Sequence, residues 1–160
     1  MIIIGIDPGY ERIGIAVIEK NPGDKREKLL YSDCFKTSAK LTLPERIHLL
    51  GMEIDSVIKK FSPTILSIEK LYFENNAKTA MGVSEARGAI IYVGKSNNLE
   101  ILEYTPLQIK NAVTGYGKAT KGQVHSMVTK LIALPPTIKQ DDEIDAIAIA
   151  ITGLASCKKY

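Results

Sequence analysis

From Ile2 to Ile6 the chain is apolar apart from Gly5, and the run stops abruptly at Asp7, Pro8 and Gly9. A short β-branched stretch closed by turn residues predicts a buried strand over 2–7. A second strand is predicted over 13–19, with Ile13, Ile15 and Val17 on one face, and a third over about 28–36. The intervening NPGDKRE supplies turn chemistry for a hairpin, so the chain begins antiparallel. Then the period changes. Ile47, Leu50, Ile54, Val57 and Phe61 recur at helical spacing behind Thr42 and Glu45, a capping-box pair, which predicts a long amphipathic helix over 43–61. TILSIEK, 64–70, returns to strand and ends on Glu69 as the first strand ended on Asp7.

AKTAMGVSEARGAIIYVG, 77–94, reads as a helix that Asn75 or Asn76 can cap. Its small residues Ala80, Gly82, Ala86, Gly88 and Ala89 suit close packing against the sheet or against a second subunit. LEILEY predicts a fifth strand. Thr105 with Gln108 and Thr120 with Gln123 are further capping boxes, so two helices joined by the loop TGYGKAT follow. Beyond Pro135 and Pro136, DDEIDAIAIAITGLA predicts a last helix in which Asp142 and Asp145, three apart, share a face. No repeat, low-complexity tract or long linker interrupts this order, and residues 1–160 are read as one domain. If the helix over 43–61 is the crossover of a βαβ unit, the strands ending in Asp7 and Glu69 are parallel neighbours with their carboxyl ends together.

Composition narrows the class. The 160 residues are 45% hydrophobic, sufficient for one sizeable core. No apolar stretch approaches the ~18 residues of a membrane span, and MIIIGID lacks the basic start and cleavage site of a signal peptide, so a cytoplasmic protein without membrane contact is expected. Cys34 and Cys157 stand far apart without metal-type spacing and are read as ordinary buried thiols. The net charge of +3 says less than its distribution. No Asp or Glu falls between Glu103 and Asp141, whereas Lys110, Lys118, Lys121, Lys130 and Lys139 do. Such a segment presents a positive field to a phosphate-rich partner, a solvated lysine face being the competing reading.

Four acids carry the candidate chemistry: Asp7, Glu69, Asp142 and Asp145. Mg²⁺ and Mn²⁺ are hard cations that take oxygen ligands, and two such ions about 4 Å apart serve phosphodiester cleavage. Taken singly, Asp142 and Asp145 could instead be first-turn residues favoured by the helix dipole, Asp7 a turn former and Glu69 a surface residue.

The succession GIDPG, IEKLYFENN, SEARGAII and DDEIDAIAIAIT resembles the RuvC family of Holliday-junction resolvases, within the ribonuclease-H-like superfamily, from Ile3 to about Thr152. The resemblance implies an α/β fold with a mixed five-stranded sheet of order 3-2-1-4-5, strand 2 antiparallel, flanked by helices. It implies that Asp7, Glu69, Asp142 and Asp145 are catalytic ligands of two Mg²⁺ ions per active site, with Mn²⁺ able to substitute. Lys110 and Lys121 match the family's basic residues, Tyr72 matches its junction-contacting aromatic, and Lys118 adds a further DNA-binding charge. The implied activity is hydrolysis of four-way junction DNA by water, leaving 5′-phosphate and 3′-hydroxyl ends, in recombination and repair. The implied partners are a second copy of the chain and a branch-migration helicase complex, RuvA and RuvB.

The chain departs from the family pattern at Glu85, where glutamine is expected, and at Glu74 and Lys118; Glu74 and Asp141 stand near the matching acids without matching a ligand themselves. Phe73 is read as core or wedge support. His48 and His125 fall on predicted helices and are not assigned to the chemistry, and Arg87 serves either a structural hydrogen bond or a dimer contact. Rival readings are the related family that processes ribosomal RNA precursors, which GYERIGIAV also resembles, and a non-catalytic branched-DNA binder. Actin-like ATPases share the opening strand and turn but need two such domains.

Overall fold

The protein is described by a computed structural model covering residues 1–9, 11–71, 77–138 and 140–157. Its β-branched runs form β1 (Ile2–Asp7), β2 (Arg12–Glu19), β3 (Lys28–Lys36), β4 (Ile65–Glu69) and β5 (Glu100–Tyr104). They make one sheet of order β3-β2-β1-β4-β5. The β1–β2 and β2–β3 pairs are antiparallel, and β1–β4 and β4–β5 are parallel, as the hairpin and crossover signals require. The helices are α1 (Leu43–Phe61), α2 (Ala77–Ser96), α3 (Pro106–Thr114), α4 (Lys121–Leu131) and α5 (Asp141–Ser156). Capping boxes at Thr42, Thr105 and Thr120 start α1, α3 and α4 where the sequence places them.

Strand alternation divides the core in two. Ile4, Ile6, Ile13, Ile15 and Val17 face Leu50, Ile54 and Val57 of α1 and Ile90 of α2. Ile3, Ala16 and Ile18 face the other way, onto Ala146–Ile151 of α5, with Ile109 of α3 and Val128 of α4 in the same cluster. β2 thus keeps Ile13, Ile15 and Val17 on one face as expected. Its opposite face is buried too, because an interior strand is covered on both sides.

α5 lies directly on the sheet. A Cβ on Gly5 would stand 2.4 Å from the Ala146 carbonyl oxygen, and one on Gly14 only 2.0 Å from that of Asp142. Only glycine allows backbone to approach backbone this closely. Ala146 and Ala150 keep the helix side equally thin, and buried Ser67 of β4 donates its hydroxyl to Ile149 O at 2.8 Å. The small residues of α2 are divided: Ala86 is buried, while a Cβ on Gly88 would meet nothing within 4 Å. Cys34 is buried and Cys157 half-buried, both as free thiols.

Candidate active site and nucleic-acid interface

The register pairs Ile6 of β1 with Ile68 of β4, so Asp7 and Glu69 follow side by side at the same sheet end. Alternation turns both toward α5, since Ile3 and Ile65, an even number of residues earlier, pack in the α5 cluster. Burial, then repulsion from Glu69, Asp145 and Asp142, raises the pKa of Asp7 from 3.8 to about 7, with Lys121 opposing. Glu69 is raised from 4.5 to about 7 by burial and by Asp145, with Lys110 opposing. The four acids therefore interact as one electrostatic group.

The first turn of α5 fans its acids out. Glu143 is buried and accepts a hydrogen bond from Ser32 Oγ at 2.6 Å. Asp142 accepts from Cys34 Sγ at 3.5 Å and lies 3.8 Å from the Arg12 guanidinium. Asp145 lies one turn further on, at the cleft of about 270 Å³ that it lines with Glu69, Lys110 and Lys121. Sequence spacing put Asp142 and Asp145 on one face; their partners differ, Asp142 meeting β2 and β3 and Asp145 meeting α4.

Lys121, the first residue of α4, places Nζ 3.0 Å from Asp145 Oδ2 and 3.4 Å from Asp141 Oδ2. Burial works against its charge, but the hydrogen bond and attraction of Asp145 and then Asp141 outweigh it, and its pKa is raised. His125, one turn along the same face, places Nε2 3.1 Å from Asp145 Oδ1. Sequence reasoning left His125 out; the signal available was its spacing of four from Lys121. Arg87, left open between two roles, donates Nε to the Glu69 carbonyl oxygen at 3.0 Å and pairs with Glu103 of β5. That contact fixes the end of β4 that carries Glu69. Lys118 is exposed on the α3–α4 loop. Tyr72, Phe73, Glu74, Asn75, Asn76 and Lys139 lie outside the described residues.

The donor set fits Mg²⁺ or Mn²⁺. It consists of carboxylate oxygens, and a divalent charge offsets both the burial that chiefly raises Asp7 and Glu69 and the repulsion from neighbouring acids that adds to it. Among the described residues no three Asp, Glu, His or Cys side chains are gathered into a ready-made cage; Asp145 instead bonds to α4.

A five-stranded sheet of this order, with acids at the ends of its first and fourth strands and on its last helix, defines a ribonuclease-H-like domain. The sequence profile for crossover junction endodeoxyribonuclease RuvC matches residues 3–153. The RuvC of Desulforamulus reducens is 44% identical over 94% of this chain and 91% of its own length. Among solved structures, Thermus thermophilus RuvC is 29% identical with a TM-score of 0.88, covering 97% of this chain and 94% of that one. The same protein in complex with a Holliday junction substrate is 30% identical with a TM-score of 0.88, covering 95% and 92%. The chain belongs to the RuvC family of crossover junction endodeoxyribonucleases. This match, over nearly the whole chain, decides against the ribosomal RNA-processing reading.

Proposed function

We propose that this protein is a structure-selective endonuclease that resolves four-way (Holliday) DNA junctions in recombination and repair. The observation that carries the reading is the meeting of Glu69 and Asp145 with Lys110 and Lys121 in one cleft, with Asp7 coupled to both acids. Asp7, Glu69, Asp142 and Asp145 would hold two Mg²⁺ ions, or Mn²⁺ in their place. Bound there, the metal supplies activation of water and neutralisation of the charge developing on the leaving oxygen.

The chain's own residues do the rest. Asp7 and Glu69 give up the protons they hold near neutrality when a cation enters. Lys110 and Lys121 bind phosphates beside the scissile bond, Lys121 exchanging Asp145 for DNA, and Lys118 adds a phosphate contact from the loop. Tyr72, three residues after Glu69, meets the DNA at the junction. Water is the nucleophile, and the ends are 5′-phosphate and 3′-hydroxyl.

Two nicks in strands of like polarity suit a two-fold dimer with both active sites on one face. Met81 and Tyr92 are each 73% exposed on α2, with open Gly88 between them, which supports α2 as the face for a second copy. The setting is the cytoplasm, and RuvA and RuvB are the branch-migration partners. Among the described residues no helix is long and apolar enough to cross a membrane.

Cleavage of a synthetic four-way junction with Mg²⁺ tests the assignment. Asp7→Asn should abolish cutting yet bind the junction normally in EDTA. Cutting at the normal rate by that variant would refute the metal site. Sedimentation at micromolar concentration tests the dimer; a monomer both free and on junction DNA would refute it.

A further inference from the structure

We infer that His125 is a positioning residue for Asp145, holding one carboxylate oxygen so that the other is the one presented to Lys121 and to a divalent cation. The inference rests on the metal reading above and adds a residue to it. Each oxygen of Asp145 has its own partner on α4: Oδ1 meets His125 Nε2 at 3.1 Å and Oδ2 meets Lys121 Nζ at 3.0 Å. A carboxylate only accepts, so the first contact places the imidazole proton on Nε2. The other ring nitrogen lies 3.8 Å from Asp141 Oδ1, beyond hydrogen-bond range, and does not compete for that proton.

The two partners differ in what they can do. The Lys121 side chain is 56% exposed and flexible, free to swing toward DNA. The His125 side chain is 19% exposed, pinned between α4 and α5, and unable to follow. When Lys121 leaves, His125 keeps the carboxylate plane fixed, and the oxygen that Lys121 vacates stays turned into the cleft. Without His125 the carboxylate rotates freely, and Lys121 can bond either oxygen in competition with a cation.

A purely structural role, tying α4 to α5, is the competing explanation. α4 already docks through buried Val124 and Val128 and is capped by Thr120 and Gln123, so its seating does not depend on one part-buried hydrogen bond. Loss of an outer partner of a metal ligand commonly weakens metal binding by about 10- to 100-fold.

The test is calorimetric titration of the DNA-free protein with Mn²⁺ alone, beside junction binding in EDTA. His125→Leu should weaken Mn²⁺ binding about tenfold or more, with junction affinity in EDTA unchanged. His125→Gln should restore Mn²⁺ affinity to within about threefold, because its amide nitrogen reaches where Nε2 sits; His125→Asn, too short to reach, should behave like Leu and replaces it should Leu fail to fold. Equal Mn²⁺ affinity in wild type and the folded Leu or Asn variant would overturn the inference while leaving the metal site intact. So would a Gln variant as weak as Leu. A wild-type protein that binds no Mn²⁺ would overturn the metal reading itself.

Discussion

Removing the charge of Asp7 should stabilise the metal-free protein. Its pKa is raised from 3.8 to about 7, so the folded state favours the neutral carboxyl. The sign follows from linkage: this stability is complete below pH 3.8 and is lost as pH climbs through about 7. At about 1.4 kcal/mol per pH unit, wild type gives up about 4 kcal/mol by pH 8. Asp7→Asn escapes that loss but must desolvate an amide, at about 1–2 kcal/mol. The net gain at pH 8 in EDTA is about 2–3 kcal/mol, or roughly 5–10 °C in Tm for a chain of this size. At pH 5 wild type has given up only about 1.6 kcal/mol, which the desolvation cost of the amide offsets, and the two proteins should melt nearly together. Mn²⁺ in large excess should reverse the order at pH 8, because a cation at about 1,000 times its Kd adds about 4.1 kcal/mol to the protein that binds it. Scanning calorimetry at both pH values, with EDTA and with Mn²⁺, measures all of this. An Asn variant no more stable than wild type at pH 8 in EDTA, or a gap of equal size at pH 5, would refute the reasoning.

Three further outcomes are expected. Lys121→Ala should lower the slope of log affinity for junction DNA against log salt by about one, the signature of a single lost phosphate contact, which fluorescence anisotropy across a salt series reads. Gly14→Ala puts a Cβ 2.0 Å from the Asp142 carbonyl oxygen and should lift the start of α5 off the sheet, costing about 3 kcal/mol or more by urea denaturation and most of the cleavage rate. Arg87→Met removes the hydrogen bond to the Glu69 carbonyl oxygen and should cost about 1–3 kcal/mol and slow cleavage more than it weakens junction binding.

The full strand order came from the family resemblance, but the antiparallel start and the pairing of the strands that carry Asp7 and Glu69 were legible in local signals: β-branched runs, a hairpin turn, and an amphipathic helix long enough to be a crossover. The parallel pairing then levels the two acids, since alternation has a period of two. The starts of α1, α3 and α4 were legible for a similar reason, a capping box being a contact between residues three apart. What stayed hidden depends on how one helix is rotated against another. The contacts of Lys121 and His125 with Asp145 are made only when α4 docks on α5, and no local pattern reports that rotation. The split between Asp142, which meets Arg12 and Cys34, and Asp145 arises in the same way. The purpose of Gly5 and Gly14 appears only with α5 lying across them.

That bare contact between α5 and the sheet has a mechanical consequence. At Gly5 and Gly14 no strand side chain separates the two backbones, so the helix has nothing to slide on or compress there, and its acids can shift relative to Asp7 only if the core itself deforms. The lysines, by contrast, sit on the short helices α3 and α4 and on the exposed loop joining them. In the proposed assignment, chemistry and recognition are thus mounted on parts of unequal stiffness. The grip on DNA can adjust to branches of differing shape, or drift in evolution, while the spacing of the reacting groups stays fixed.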